Sequence, residues 1–250
     1  MYPTSDRRRE TGSAPRILVV GAGALGCAAA RTLAQDRTVR IKLVDADRVE
    51  LSNLQRQVLY TDADIGRLKV DAAAERLASD FGVRVETAAL RLDAESGPML
   101  VADADIVIDA TDDPPTKFLI GRLCVEAAVP YVYGGVARTG GQWLLVDPGN
   151  SACLECVFPF AGADESAAGC SALGILAPVA GVVGAMQALA ALAFLRRPER
   201  ATTGRLHVYE LTGVRSRHVD FTPDASCFCQ GTRRLHQLES GIGTSRSQAS

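Results

Sequence analysis

The stretch Arg16–Gly26 reads RILVVGAGALG, a short apolar run that breaks into a glycine-rich turn. The pattern predicts a strand over Arg16–Val20, a tight turn through Gly21, Gly23 and Gly26, and a helix over residues 24–35. Glycine permits such a turn and lets a phosphate approach backbone N–H groups at the helix start, where the helix dipole favours anions. The next apolar run, Arg40–Val44, closes on Asp45, where a carboxylate can accept hydrogen bonds from ribose hydroxyls. Strand, turn, helix, strand and carboxylate together point to a nucleotide. By themselves they fit a nicotinamide or flavin at least as well as ATP.

Outward from this unit the alternation continues. Residues 69–81 carry apolar positions at helical spacing and residues 84–92 read as extended. Residues 106–108 form a buried strand leading into Asp109-Ala-Thr-Asp-Asp113. Residues 116–128 read as a helix and residues 131–133 as a strand. The β-α-β order implies an α/β fold, a Rossmann-like, doubly wound and mostly parallel sheet with helices on both faces. The second half differs, with a strand over residues 142–146, a small-residue loop over 158–170 and a long apolar helix. A terminal hairpin is expected from residues 205–211 and 214–221, turning at Thr212-Gly213, which makes a C-terminal antiparallel extension. Residues 1–14 read as a flexible arm, 15–231 as one domain, and 232–250 as a disordered Ser/Gly/Gln-rich tail.

The chain has 250 residues, 47% hydrophobic and 22% charged, with a formal net charge of -2. This charge gives no sign of nucleic-acid binding, which usually shows a basic excess. The opening residues are polar and arginine-rich rather than a signal peptide, so a cytoplasmic location is expected. Residues 171–195 carry no charge and are long enough to span a bilayer. They are mostly Ala and Gly with Pro178 and Gln187, which favours a core helix over a membrane span. Seven cysteines, an odd number, point away from a disulfide framework and toward metal or thiol chemistry.

The residues beyond Asp45 choose the nucleotide. Leu51-Ser-Asn-Leu-Gln-Arg-Gln57 and Gly66-Arg-Leu-Lys69 place Asn53, Arg56 and Lys69 close to the ribose-binding carboxylate. A dehydrogenase has no need of that cluster. An enzyme directing attack at the α-phosphate of ATP does, because charge developing on the phosphoryl oxygens calls for fixed cations and amide donors. Arginine offers a bidentate fork and lysine a point charge. Asp112 suits a magnesium ligand; its alternative role is a helix N-cap before Pro114-Pro115.

The segments GAGALG, LVDADRVELSNLQRQ, GRLK, DATDD, CLEC and GILAPVAGVVGAMQAL closely resemble the ThiF/MoeB family of ubiquitin-like-protein (sulfur-carrier) activating enzymes, from Arg16 to Gln230. The resemblance implies an ATP-dependent adenylyltransferase. It would join AMP to the terminal glycine of a small carrier ending in Gly-Gly and release pyrophosphate, leaving the acyl adenylate open to a sulfur donor. Gly21, Gly23, Gly26, Asp45 and Asp47 would then hold the nucleotide. Asn53, Arg56, Gln57 and Lys69 would bind phosphates and assist adenylation, and Asp112 would bind Mg2+. A homodimer is implied as well. No rhodanese-like extension follows residue 230, so the donor is expected to be a separate protein. Two departures stand out. Asp113 replaces the family's usual Asn, adding charge beside the triphosphate unless Mg2+ or Lys117 compensates. The arm is also too short for the family's arginine-bearing helix, for which Arg7, Arg8 and Arg9 could substitute.

Cys153-Leu-Glu-Cys156 and Cys227-Phe-Cys229 can form a closed tetrahedral Zn2+ site, a reading the family resemblance supports. The second pair is one residue short, which constrains its reach and leaves His236 as a substitute ligand; a redox pair or a lost site are the alternatives. Cys170 precedes the long helix, where a thiolate is favoured, and in the ThiF branch a cysteine here can link to the carrier. Cys27 and Cys124 are expected to be packing residues, and His207 and His218 structural. Competing functions are adenylation of another carboxylate (a tRNA-modification dehydratase or a peptide-adenylating enzyme), an NAD-dependent oxidoreductase, and a silent scaffold.

Overall fold

The computed structural model describes residues 13–159 and 175–231. A single eight-stranded sheet runs through them in the order β3-β2-β1-β4-β5-β6-β7-β8. β1 (Arg16–Val20), β2 (Arg40–Val44), β3 (Val85–Ala88), β4 (Ile106–Asp109) and β5 (Tyr131–Ala137) are parallel. β6 (Gly140–Val146), β7 (Arg205–Glu210) and β8 (Arg215–Asp220) extend the sheet antiparallel.

The central strands β1 and β4 are apolar except at their ends, Arg16 and Asp109, because both their faces are covered. Ile17 and Val19 enter one core, while Leu18 and Val20 enter the other. The first core is closed by α1 (Ala24–Leu33), α2 (Lys69–Phe81) and α6 (Ala177–Arg196). α3 (Gly97–Ala102), α4 (Pro114–Glu126) and α5 (Leu154–Val157) cover the opposite face. Leu33, Leu77 and Ile120 are fully buried in these layers, each worth roughly 1.5–3 kcal/mol of transfer free energy.

Several boundaries differ from the sequence reading by one or two residues, such as α4, read over 116–128 and found at Pro114–Glu126, and others differ by more. The strand expected over residues 84–92 is confined to Val85–Ala88. β5 continues to Ala137 instead of stopping at Tyr133, since Gly134 and Gly135 stay in the ladder opposite Trp143 and Gln142. Glycine is needed at 134 because a Cβ there would lie 2.4 Å from the Gln187 amide. The short helix α3 was not anticipated.

α6 is long and apolar enough to cross a membrane by length and composition. It packs instead on α1 and on β4, β5 and β6, burying Val179, Ala180, Val183, Gly184, Gln187, Ala188, Ala191 and Leu192. Gly184 lets it approach α1 so closely that a Cβ would meet Leu25 O at 2.3 Å. Gln187 donates to the carbonyls of Asp109 (2.7 Å) and Val132 (3.1 Å), so the one polar residue midway along the helix ties it to two adjacent strands.

Candidate active site

From β1 the chain moves outward through β2 and β3, then crosses back to lay β4 on the other side of β1. This reversal opens a crevice at the carboxyl ends of the strands, where ligands bind in doubly wound folds. A cavity of about 620 Å³ lies there, bounded by the glycine turn, Asp45, the residues around Arg56, and Thr111-Asp112.

The three glycines serve different ends. Gly21 has φ +99° and a Cβ on it would lie 2.7 Å from Ala110 O; one on Gly26 would lie 1.9 Å from Gly21 O. Both are required by the fold itself. Gly23 is different: the nearest atom to its Cβ would be Gln57 Nε2 at 4.0 Å, so that side of the turn faces open crevice. Gly23 is also the N-cap of α1, where no side chain caps the helix. The first turn of α1 thus borders the cavity with no side chain capping its N–H groups. The peptide of Ala22 is clamped at both ends, its N–H donating to Asp45 Oδ2 (2.7 Å) and its carbonyl accepting from Tyr60 Oη (2.8 Å). Asp45 Oδ1 accepts from the N–H of Asp47 at 2.7 Å. Each oxygen keeps a further lone pair for a ribose hydroxyl.

The polar cluster is braced from within. Lys69, buried at the start of α2, donates to Asp47 Oδ2 at 2.8 Å. Arg56 bonds Ser52 O (3.1 Å) and Asn53 Oδ1 (2.8 Å). Gln57 is buried beneath the turn with its Oε1 unpartnered among the described residues. Asn53, Arg56, Gln57, Lys69, Asp45, Asp47, Gly21, Gly23 and Asp112 all line the one cavity; Gly26 stands behind it as a packing residue.

Two expectations around Asp112 need correction. The N-cap of α4 is Asp113, not Asp112: its carboxylate accepts from Thr116 N (3.0 Å) and Thr116 Oγ1 (2.6 Å). The added charge is thus spent on the helix start, and Asp112 remains free to face the crevice. Lys117 does not compensate Asp113 either. It is buried against Asp109 at 3.3 Å and donates to Gly134 O. Asp109 in turn accepts from Thr111 N and Oγ1 (3.1 and 2.7 Å), which fixes the turn that carries Asp112. Tyr60 escapes sequence reading because it acts through a contact 38 residues away. Thr111, by contrast, bonds Asp109 two residues before it in a local turn, and Lys117 serves Asp109 and Gly134 rather than Asp113.

A second cavity of about 870 Å³ shares Thr111, Asp112 and Val136 with the first and runs over the antiparallel strands. Its floor is apolar, with Phe118, Tyr133, Phe158 and Val208, and Arg215 and Arg217 stand at its far rim.

Away from both cavities, Cys153, Cys156, Cys227 and Cys229 bring their sulfurs within 4.8 Å of one another. Neighbouring Sγ atoms lie 3.5, 3.6 and 3.7 Å apart. A disulfide requires about 2.05 Å, whereas four thiolates about 2.3 Å from one zinc are about 3.8 Å apart at the tetrahedral edges. The donor set fits zinc, and the shorter Cys-x-Cys spacing does not prevent convergence. Burial pushes the Cys153 thiol up and Cys229 up to about 12. At Cys156 burial acts upward too, but N–H donation from Asp224 and its other hydrogen bonds bring the thiol below its ordinary range. Cys27 and Cys124 are fully buried, and burial pushes Cys27 up to about 12, so both are inert packing residues. Cys170, His236 and Arg7, Arg8 and Arg9 lie outside the described residues.

The ThiF family profile matches residues 4–229. The chain is 34% identical over 225 residues to the SAMP-activating enzyme E1 of Haloferax volcanii, covering 90% of this chain and 83% of that protein. It is 33% identical to the molybdopterin-synthase adenylyltransferase of Salmonella typhimurium over 85% of each chain. With the adenylyltransferase and sulfurtransferase MOCS3 of Anopheles gambiae it shares 36% identity, over 78% of this chain but 44% of that longer protein. In fold it is similar to E. coli MccB solved with ATP, with a TM-score of 0.75 at 23% identity over 86% of this chain and 66% of that one.

Proposed function

The chain belongs to the ThiF family, and from that premise we propose that it is an ATP-dependent adenylyltransferase activating the C-terminal glycine of a small ubiquitin-like sulfur-carrier protein. The observation that carries this reading is the convergence of Asn53, Arg56 and Lys69 with the uncapped start of α1 on one crevice. Such donors match a triphosphate better than the pyrophosphate of a dinucleotide, which needs only the glycine turn.

In this reading Asp45 accepts from the ribose hydroxyls and the N–H groups after Gly23 donate to phosphate oxygens. A carboxylate oxygen of the carrier forms a bond to the α-phosphorus as the bond to the bridging α–β oxygen breaks, and pyrophosphate leaves with that electron pair. Arg56 and Lys69 stabilise the charge that builds on the α-phosphoryl oxygens. Their bonds to Asn53 and Asp47 hold them in place beforehand. Asp112 would hold Mg2+, which supplies charge neutralisation to the phosphates. The second cavity, which borders the crevice at Thr111 and Asp112, would receive the carrier's extended C-terminal segment. The acyl adenylate is then open to a separate sulfur donor.

The test is ATP–pyrophosphate exchange with carriers ending in Gly-Gly. Exchange that appears only with carrier supports the reading; binding of NAD with no exchange for any carrier discards it. Zinc at the four cysteines and a cytoplasmic homodimer belong to the same proposal. Elemental analysis well below one zinc per chain removes the first, and a monomeric mass by light scattering removes the dimer.

A further inference from the structure

The second cavity ends at β8, the edge of the sheet, where every residue is exposed. Its two arginines are not equivalent. Arg215 lies opposite Glu210 across the ladder. The Glu210 carboxyl is held below its usual range, first by the Thr212 N–H and in smaller part by Arg215. Arg217 lies opposite Val208, and among the described residues no carboxylate pairs with it. The other cation of the cavity, Lys117, is buried and satisfied by Asp109. The far end of this mostly apolar channel therefore presents, among the described residues, one guanidinium without a paired carboxylate.

We propose that Arg217 reads an acidic side chain on the segment that leads to the carboxylate being activated, so that the cavity selects acceptor chains by charge as well as by their slender end. This rests on the adenylation reading above. The position of the acid is set by the sheet. Four strand spacings separate β4, whose carboxyl end leads into the turn bearing Asp112, from β8. At about 4.8 Å each they span about 19 Å, the reach of about six extended residues. The acid is accordingly expected about six residues before the terminal carboxylate. The apolar floor between the two ends calls for at least one apolar side chain on the intervening residues, against Phe118, Tyr133 or Phe158.

The probe is a pair of fluorescent peptides of about twelve residues ending in Gly-Gly, with Glu or Lys about six residues from the end, titrated by anisotropy against the full chain. The Glu peptide is expected to bind roughly fivefold tighter, as for an exposed pair set against a repulsive one. This preference should shrink as salt rises. Arg217→Glu should reverse it, while Arg200→Glu, an exposed change of the same charge outside the cavity, should leave it intact. Equal affinities, no measurable binding of either peptide, or a preference unchanged in Arg217→Glu would each overturn the proposal. Exchange assayed on the same preparation separates the two readings. Charge discrimination without exchange discards adenylation alone, and exchange without discrimination discards the role of Arg217 alone.

Discussion

The two halves of the sheet are held by different means. β1, β4 and β5 are covered by helices on both faces, β2 and β3 flank them, and the carboxyl ends of the parallel strands hold Asp45, the glycine turn and Asp112. From β6 outward the cover thins until β8 is bare, and the segment after it is gathered to α5 by the cysteine cluster. The parallel half is rigid through burial and can present groups for chemistry. The antiparallel half is an open surface secured at one end, suited to holding a partner.

If the chemistry belongs to the parallel half, its loss should be severe there without loss of fold. Lys69→Ala is expected to lower the exchange rate roughly a hundredfold to a thousandfold, the scale of removing one transition-state donor. A near-normal rate would mean that Lys69 only pins Asp47. Within the glycine turn, Gly26→Ala should cost about 3 kcal/mol in urea unfolding, because its Cβ collides with backbone. Gly23→Ala should change stability by no more than about 0.5 kcal/mol while weakening ATP binding. Equal effects at the two positions would erase the distinction between a fold glycine and a ligand glycine.

Metal removal tests the other half. Chelation should lower the melting temperature by several degrees, since about 1 kcal/mol is worth about 2–4 °C at this size. Hydrogen exchange should quicken over residues 205–231 and hardly change around the crevice, and ATP should still bind. A uniform loss of protection would show that the two halves unfold as one.

The smallest effect concerns pH. His207 stacks on Trp143 with ring centroids 4.0 Å apart. Burial first, then Arg205 and His218, lower its affinity for a proton, and Asp220 acts the other way. The unfolded chain therefore binds that proton more readily than the folded one, and stability declines as pH falls through the ordinary histidine range near 6.5. Thermal melts at several pH values should show this decline, and His207→Phe should flatten it. An unaltered slope would assign it to other groups.

The parallel half could be read closely from the sequence because its elements follow local rules. Arg16–Val20, Arg40–Val44 and Lys69–Phe81 begin and end where apolar period and flanking residues change. The same patterns brought Asn53, Arg56, Lys69 and Asp112 to one crevice. Readings failed where a distant residue decides. Gly134 looks like a strand breaker until Gln187 is found occupying the space of its side chain. Asp112 and Asp113 are indistinguishable as caps until Thr116 is seen to bond the second. Cys-x-Cys looked too short because the sulfurs meet through the path of the chain after β8, which no spacing records.

The bare edge strand has a consequence for life in a crowded solution. Among the described residues no strand pairs with the outer side of β8, an invitation to any extended chain. Its sequence, Arg-Ser-Arg-His-Val-Asp, carries charge at both ends and only one aliphatic residue. Charged edges of this kind discourage edge-to-edge aggregation. Arg215, Arg217 and Asp220 thus help keep molecules apart, and neutralising them together would be expected to cost solubility before it cost stability.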